Sequence, residues 1–142
     1  MRIILHVLTL TALLATAPNR SFALESFSPV TCKEAKALGM TFRAQKAGGP
    51  NAVRVEVTFE AKGKLEGVKK VTLRMYDGEK LLVFTTLSNE AEAAGRFKAS
   101  FMIDRDLLDK SKLWISSSLG GASVGGAYVL NVSDIDEVKG LR

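Results

Sequence analysis

The sequence predicts an all-β fold, an antiparallel β-sandwich of seven short strands in one domain. Apolar and polar residues alternate with period two along most of the chain after Met40. Glycine-rich and Asp-Gly turn signals interrupt that alternation at short intervals, and helical periodicity is almost absent. Runs of this kind, each with one apolar face, bury themselves by packing sheet on sheet.

The clearest strand is Val53-Arg54-Val55-Glu56-Val57-Thr58-Phe59-Glu60-Ala61, whose odd positions are all apolar and even positions all polar. Phe97, Ala99, Phe101 and Ile103 repeat the pattern, as do Val71, Leu73 and Met75, and Tyr128, Leu130 and Val132 close the chain likewise. The strands are expected at 40–46, 52–61, 68–76, 79–87, 96–104, 112–119 and 127–133. Gly48-Gly49-Pro50, Gly63 to Gly67, Asp77-Gly78, Ala94-Gly95 and the glycine-rich stretch Gly120 to Gly126 separate them. Ahead of the strands, Thr31-Cys32-Lys33-Glu34 has capping-box spacing, which predicts a short helix over 32–38 stopped by Gly39. An irregular arm is the alternative there. The tail after Ser133 is expected to be short and partly frayed.

The first 23 residues have the layout of an export signal. Arg2 gives a positive start, Ile3 to Ala15 an apolar run, and Ser21-Phe22-Ala23 a small-x-small cleavage site. That run is about 13 residues, short of the roughly 20 that span a bilayer. The expected organisation is a signal peptide 1–23, an N-terminal arm 24–38, a sandwich domain 39–134 and a tail 135–142. The mature protein is then secreted or periplasmic, with no transmembrane segment and no lipid anchor, since the residues before Cys32 do not form a lipoprotein site.

The signal carries His6, the only histidine, and two of the 20 basic residues. The mature charge is therefore 18 minus 15, or +3. This suits a soluble protein and gives no case for nucleic acid. The single cysteine, Cys32, rules out an internal disulfide. It reads as a lone thiol on a surface arm, inert or paired between chains.

Leu107-x-Asp109-x-Ser111-x-Leu113-x-Ile115 resembles the corner leading into the sixth strand of immunoglobulin and fibronectin type III sandwiches. Asp109 stands where that family has proline and Leu113 where it has the corner tyrosine, and the inter-sheet cysteines are absent. The resemblance is architectural, covers about 40–133, and implies an immunoglobulin-like winding without implying an activity.

Without a mature histidine, Ser-His-Asp and Cys-His catalysis and His-ligated metals fall away. No phosphate-loop or serine-nucleophile motif stands among Ser116 to Gly126. The protein is therefore expected not to be an enzyme and to need no cofactor. An immunoglobulin-like winding would gather Asp77, Glu79, Asp104, Asp106, Asp109, Asp134, Asp136 and Glu137 at one pole. Asp104, Asp106, Asp134 and Asp136 are the candidate calcium ligands there. Lys62, Lys64, Lys69 and Lys70 would mark an opposite pole able to attract anionic glycans or lipid headgroups.

The remaining candidate is a contact surface on the outer sheet. A tight hairpin at Asp77-Gly78 would set Arg74 opposite Leu81 and Thr72 opposite Val83, turning Leu81 and Val83 outward and Leu82 and Phe84 into the core. With Leu113 and Ile115 inward, Trp114 points outward on the strand beside the third. Tyr76, Leu81, Val83, Trp114 and Val129 then form an apolar face rimmed by Thr72, Arg74, Ser116 and Ser118. The arm 24–38 folding back over this face is the competing expectation. The expected function is a non-catalytic interaction or structural module of the cell envelope or extracellular space. Trp114 would anchor a protein partner or a second copy. The alternative is a ligand-binding module, taking calcium at the acidic pole or a carbohydrate on the aromatic face.

Overall fold

A computed structural model describes residues 26–90, 93–120 and 123–141; the expected export signal lies outside these. Within them the chain is all-β, with eight strands in one continuous sheet. These are β1 (Ser28–Pro29), β2 (Met40–Lys46), β3 (Ala52–Glu60), β4 (Lys70–Asp77), β5 (Lys80–Asn89), β6 (Arg96–Asp104), β7 (Ser111–Gly120) and β8 (Ser123–Asn131). The spatial order is β1-β8-β7-β4-β5-β6-β3-β2, antiparallel except for β1 beside β8. The sheet curls into an open half-barrel, and one apolar cluster draws on strands from both ends of that order.

The period-two pattern explains the core. Val53, Val55, Val57 and Phe59 of β3 are all buried, while Arg54 between them is exposed. Register then propagates that choice. β3 pairs Val53 with Ile103 and Phe59 with Phe97, so the inward face of β6 follows. On the other side Leu73 pairs with Ile115, and Leu113 with both Met75 and Leu130. The expected sixth strand does lie beside the third, as β7 beside β4.

Four departures from expectation have physical causes. An eighth strand arises because the arm reaches the sheet: Pro29 lies opposite Val129, and Val30 N–H donates to the Val129 carbonyl at 2.9 Å. Two residues are too few to show a period, and Pro29 suits an edge because it has no N–H to give. The glycine-rich stretch 120–126 is partly sheet, since the β7–β8 ladder continues with shifts to Gly120 opposite Ser123.

Within the described residues the tail packs on the sheet. Val132–Asp134 form a 3-10 turn and Asp136–Lys139 a short helix, α2, which packs on β2 with Ile135 and Val138 fully buried. Cys32 is likewise buried, not on a surface arm, and its Sγ lies 3.9 Å from Asp136 Oδ2.

The arm helix, α1 (Cys32–Ala37), forms as its capping box requires. Glu34 N–H donates to Thr31 Oγ1 at 3.2 Å, and Thr31 N–H donates to Glu34 Oε2 at 2.7 Å. Gly39 ends it at φ +93°, and its carbonyl accepts from Glu60 N–H at 2.9 Å. α1 is then clasped to α2: Lys36 Nζ donates to Glu137 Oε1 at 3.1 Å and to Asp136 Oδ2 at 3.4 Å. The Glu137 hydrogen bond holds the Lys36 ammonium above its ordinary value. Lys139, then Lys36, hold the Asp136 carboxyl below its own.

This packing sets three expectations for stability. Phe59→Ala should cost about 3–5 kcal/mol in chemical denaturation, because the fully buried ring leaves a cavity. Gly39→Ala should cost on the order of 2 kcal/mol, since alanine is strained at this φ and its Cβ would strike the Glu60 carbonyl oxygen. The Asp136 contribution, from a depressed carboxyl, is present above the ordinary carboxyl range and lost as pH falls below about 4. Asp136→Asn should accordingly flatten the acid limb of a stability-versus-pH curve.

Candidate functional site

Five strands build the outer face of the β1-β8-β7-β4-β5 half. Opposed residues share a face, so the register assigns it. Arg74 lies opposite Trp114, Trp114 opposite Val129, and Tyr76 opposite both Lys112 and Leu81. Trp114, Tyr76, Leu81 and Val129 thus share the outer face, as the sequence predicts. Tyr76 meets Trp114 edge-on with ring centroids 5.5 Å apart.

Val83 and Phe84 are exchanged relative to expectation. The β4–β5 turn is closed by Asp77 opposite Lys80, with Gly78-Glu79 as its two central residues. Gly78 has φ +57° and Glu79 does not have positive φ, as a turn with glycine in the first central position requires. This places the turn one residue later than the Asp-Gly reading. A bulge between Met75 and Tyr76 on β4 then leaves Leu82 as an extra residue on β5. Beyond it Val83 pairs with Met75 on the inner face, and Phe84 pairs with Arg74 on the outer face.

Phe84 is consequently 60% exposed and Leu81 48% exposed. The Arg74 guanidinium stands over the Phe84 ring at 5.7 Å. An aromatic and aliphatic strip therefore runs from β7 through β4 to β5: Trp114, Tyr76, Leu81 and Phe84, with Arg74 among them.

The arm covers one end of this strip. Phe27, just before β1, packs on Trp114 with centroids 4.6 Å apart, so the folding-back expected as the alternative occurs there. Trp114 is half-buried as a result. Its indole N–H is buried without an acceptor among the described residues. Sequence reading missed Phe27 because no periodicity links it to the sheet, and missed Phe84 because only the bulge turns it outward.

The candidate calcium ligands are not gathered. Among the described residues no three His, Cys, Asp or Glu side chains stand close enough to hold a metal ion. Asp134 accepts from Asn131 Nδ2 at 2.9 Å, and Asp136 is engaged by Lys36 and Lys139. Burial of Ile135 and Val138 draws the final carboxylates into the α1–α2 clasp. Asp104 closes β6 and Asp106 lies in the 3-10 turn that follows it. At the basic pole, Lys62 pairs with Glu60 at 3.6 Å.

A second feature lies where β5 and β6 part. Among the described residues their register holds at Ser88–Lys98 and Asn89–Phe97, and no pairing continues from there toward the start of β5. The wide end is a cleft of about 350 Å³ lined by Ala52, Met75, Leu82, Val83, Met102, Ile103, Asp104 and Leu107. Val83, predicted on the outer face, thus lines this cleft.

No family model, curated protein or solved structure matches this chain. Among the described residues no helix is long and apolar enough to cross a membrane.

Trp114 is the only tryptophan, so its emission reports this face directly. Phe27→Ala should red-shift that emission and cost about 1 kcal/mol, the scale of one exposed aromatic pair. A shift without loss of the fold is the expected result.

Proposed function

We propose that this chain is a non-catalytic interaction module that acts outside the cytoplasm and binds a protein partner, or a second copy of itself, through its outer sheet. The observation that carries this reading is the contiguous strip of Trp114, Tyr76, Leu81 and Phe84, whose free end bears two large, strongly exposed apolar side chains. Apolar groups clustered on one face and rimmed by polar ones are how contact surfaces are built. Rigid aromatic anchors carry a large share of such binding energy. Strip and rim meet that description, with Thr72, Arg74 and Ser116 around the rings.

The lack of any histidine after the apolar leader supports a non-catalytic role, and the Arg2, apolar-run and Ser21-Phe22-Ala23 layout supports export. The strand order supports an immunoglobulin-like or fibronectin type III-like reading of the fold. It groups β8-β7-β4-β5 on one side and β6-β3-β2 on the other, with β5 bridging them. A carbohydrate stacked on the Tyr76–Trp114 rings is the second reading, favoured by the edge of the strip that Phe27 leaves uncovered. Calcium has less support, because Asp134 and Asp136 are engaged within the chain.

Light scattering on residues 24–142 across a concentration series, under reducing conditions, tests the self-association form. A dimer that a Leu81→Ser, Phe84→Ser variant dissociates, with stability unchanged within about 0.5 kcal/mol, is the expected result. A dimer unaffected by that variant places the interface elsewhere. A monomer at every concentration leaves a foreign partner as the form of the proposal to pursue.

A further inference from the structure

The split between β5 and β6 leaves main-chain groups without the ladder partners that a sheet supplies. Glu90 N–H donates to the Arg96 carbonyl at 2.8 Å, and the register continues through Asn89–Phe97 to Ser88–Lys98. In an antiparallel ladder every second residue of a strand directs its N–H and C=O to the same neighbour. Phe84 and Thr86 of β5, and Ser100 and Met102 of β6, therefore aim theirs into the gap. The β3 side agrees: Ala61 N–H donates to the Gly95 carbonyl and Arg105 N–H to the Asn51 carbonyl, both at 2.7 Å, so the odd positions of β6 serve β3. Among the described residues no β5–β6 pairing reaches these four positions. The Thr85 hydroxyl makes only a long local bond there, 3.4 Å to the Thr86 carbonyl.

Two free edges at one opening are unusual. Edges are ordinarily blunted by proline, charge or a covering element, yet β6 carries none of these between Ala99 and Ile103. The side chains around the gap define what fits it. Inward, the apolar cleft at the mouth is large enough to take an aliphatic side chain. Outward, Phe84 and Met102, 60% and 62% exposed, form the two lips. One strand behind each lip stands an arginine: Arg74 opposite Phe84, and Arg54 opposite Met102. Neither has a carboxylate partner among the described residues, and Arg74 already leans over the Phe84 ring toward the gap. Asp104, at the mouth, disfavours a carboxylate at the entering end only.

We propose that the β5–β6 split receives an extended peptide strand from a partner protein, aliphatic on its inward side chains and carboxylate-bearing on its outward ones. The strand joins the sheet through the main chain of Phe84, Thr86, Ser100 and Met102. Because β5 and β6 are antiparallel, it runs parallel to one and antiparallel to the other. Main-chain bonds on both sides provide affinity, while the cleft and the two arginines select the sequence. The site shares Phe84 and Arg74 with the outer-face strip but uses neither Trp114 nor Tyr76, so it stands or falls without those two rings.

The test uses residues 24–142 and the peptide acetyl-Val-Glu-Val-Glu-Val-Glu-Val-amide, followed by NMR and amide hydrogen exchange. The expected result is protection of the Phe84, Thr86, Ser100 and Met102 amides. Replacing glutamate by lysine should weaken binding roughly tenfold, the scale of two exposed ion pairs. Methylating alternate peptide nitrogens should abolish it. Ser100→Pro removes an amide that serves no ladder, so the protein should fold and lose the peptide, whereas Trp114→Ser should keep it. Should Ser100→Pro fail to fold, the methylated peptide decides the same point.

No binding at 1 mM peptide, roughly the weakest affinity such a test reads, would overturn the proposal. So would equal binding of the methylated peptide, or perturbations centred on Trp114.

Discussion

Strand β5 belongs to two ladders at once, and much of the molecule follows from that. From Lys80 to Leu87 it pairs with β4, and its last two residues pair with β6. A strand shared in this way joins the two halves of the sheet into one hydrogen-bonded surface and lets them curl around a common core. It also prevents the halves from closing. β5 follows β4 from Lys80 to Leu87 and meets β6 at Ser88 and Asn89, so the two halves part along the rest of this strand. The bulge at Leu82 lies at the wide end, where such an extra residue adds local twist to the strand.

The same bulge sets the chemistry on both sides of β5. Val83 is delivered to the inner side and Phe84 to the outer side, where Arg74 covers part of its ring. Without the extra residue these two would exchange faces, because a one-residue slip inverts every side chain of a strand. An exposed phenylalanine beside an exposed leucine carries a solubility cost that a chain with a choice would avoid. Its presence on the outer surface, beside Tyr76 and Trp114, is why this face reads as a place of contact.

The termini contribute by covering and clasping. Phe27 and β1 shield one end of the aromatic strip and the free edge of β8. α1 and α2 hold each other through Lys36, Asp136 and Glu137, over an apolar contact that buries Ile135 and Val138. The ion pairs are exposed and contribute little by themselves. Burial of the two aliphatic side chains is the larger effect, and the charges orient it. The outcome is a molecule whose uncovered apolar surface is concentrated on β5 and β6.

The features legible in the chain before folding were local or periodic. The alternation from Val53 to Phe59 identified a strand and its buried face. The Thr31–Glu34 spacing identified a capped helix, and Asp77-Gly78 located a hairpin to within one residue. Those signals are legible because each depends on neighbours two to four positions away. Whatever depends on distant contacts came from the folded molecule. Phe27 finds Trp114 across the sheet, Ile135 and Val138 find β2, and Cys32 is buried against α2, none of which a periodicity can show. The exchange of Val83 and Phe84 is the sharpest instance. Strict alternation makes both assignments equally regular, and the choice turned on one bulged residue whose position is set by how β4 meets β5 and β7 together. The split itself belongs to the same class. Whether β6 pairs along β5 or only at its end is a property of sheet curvature, which arises from packing of the whole core and is not written in either strand.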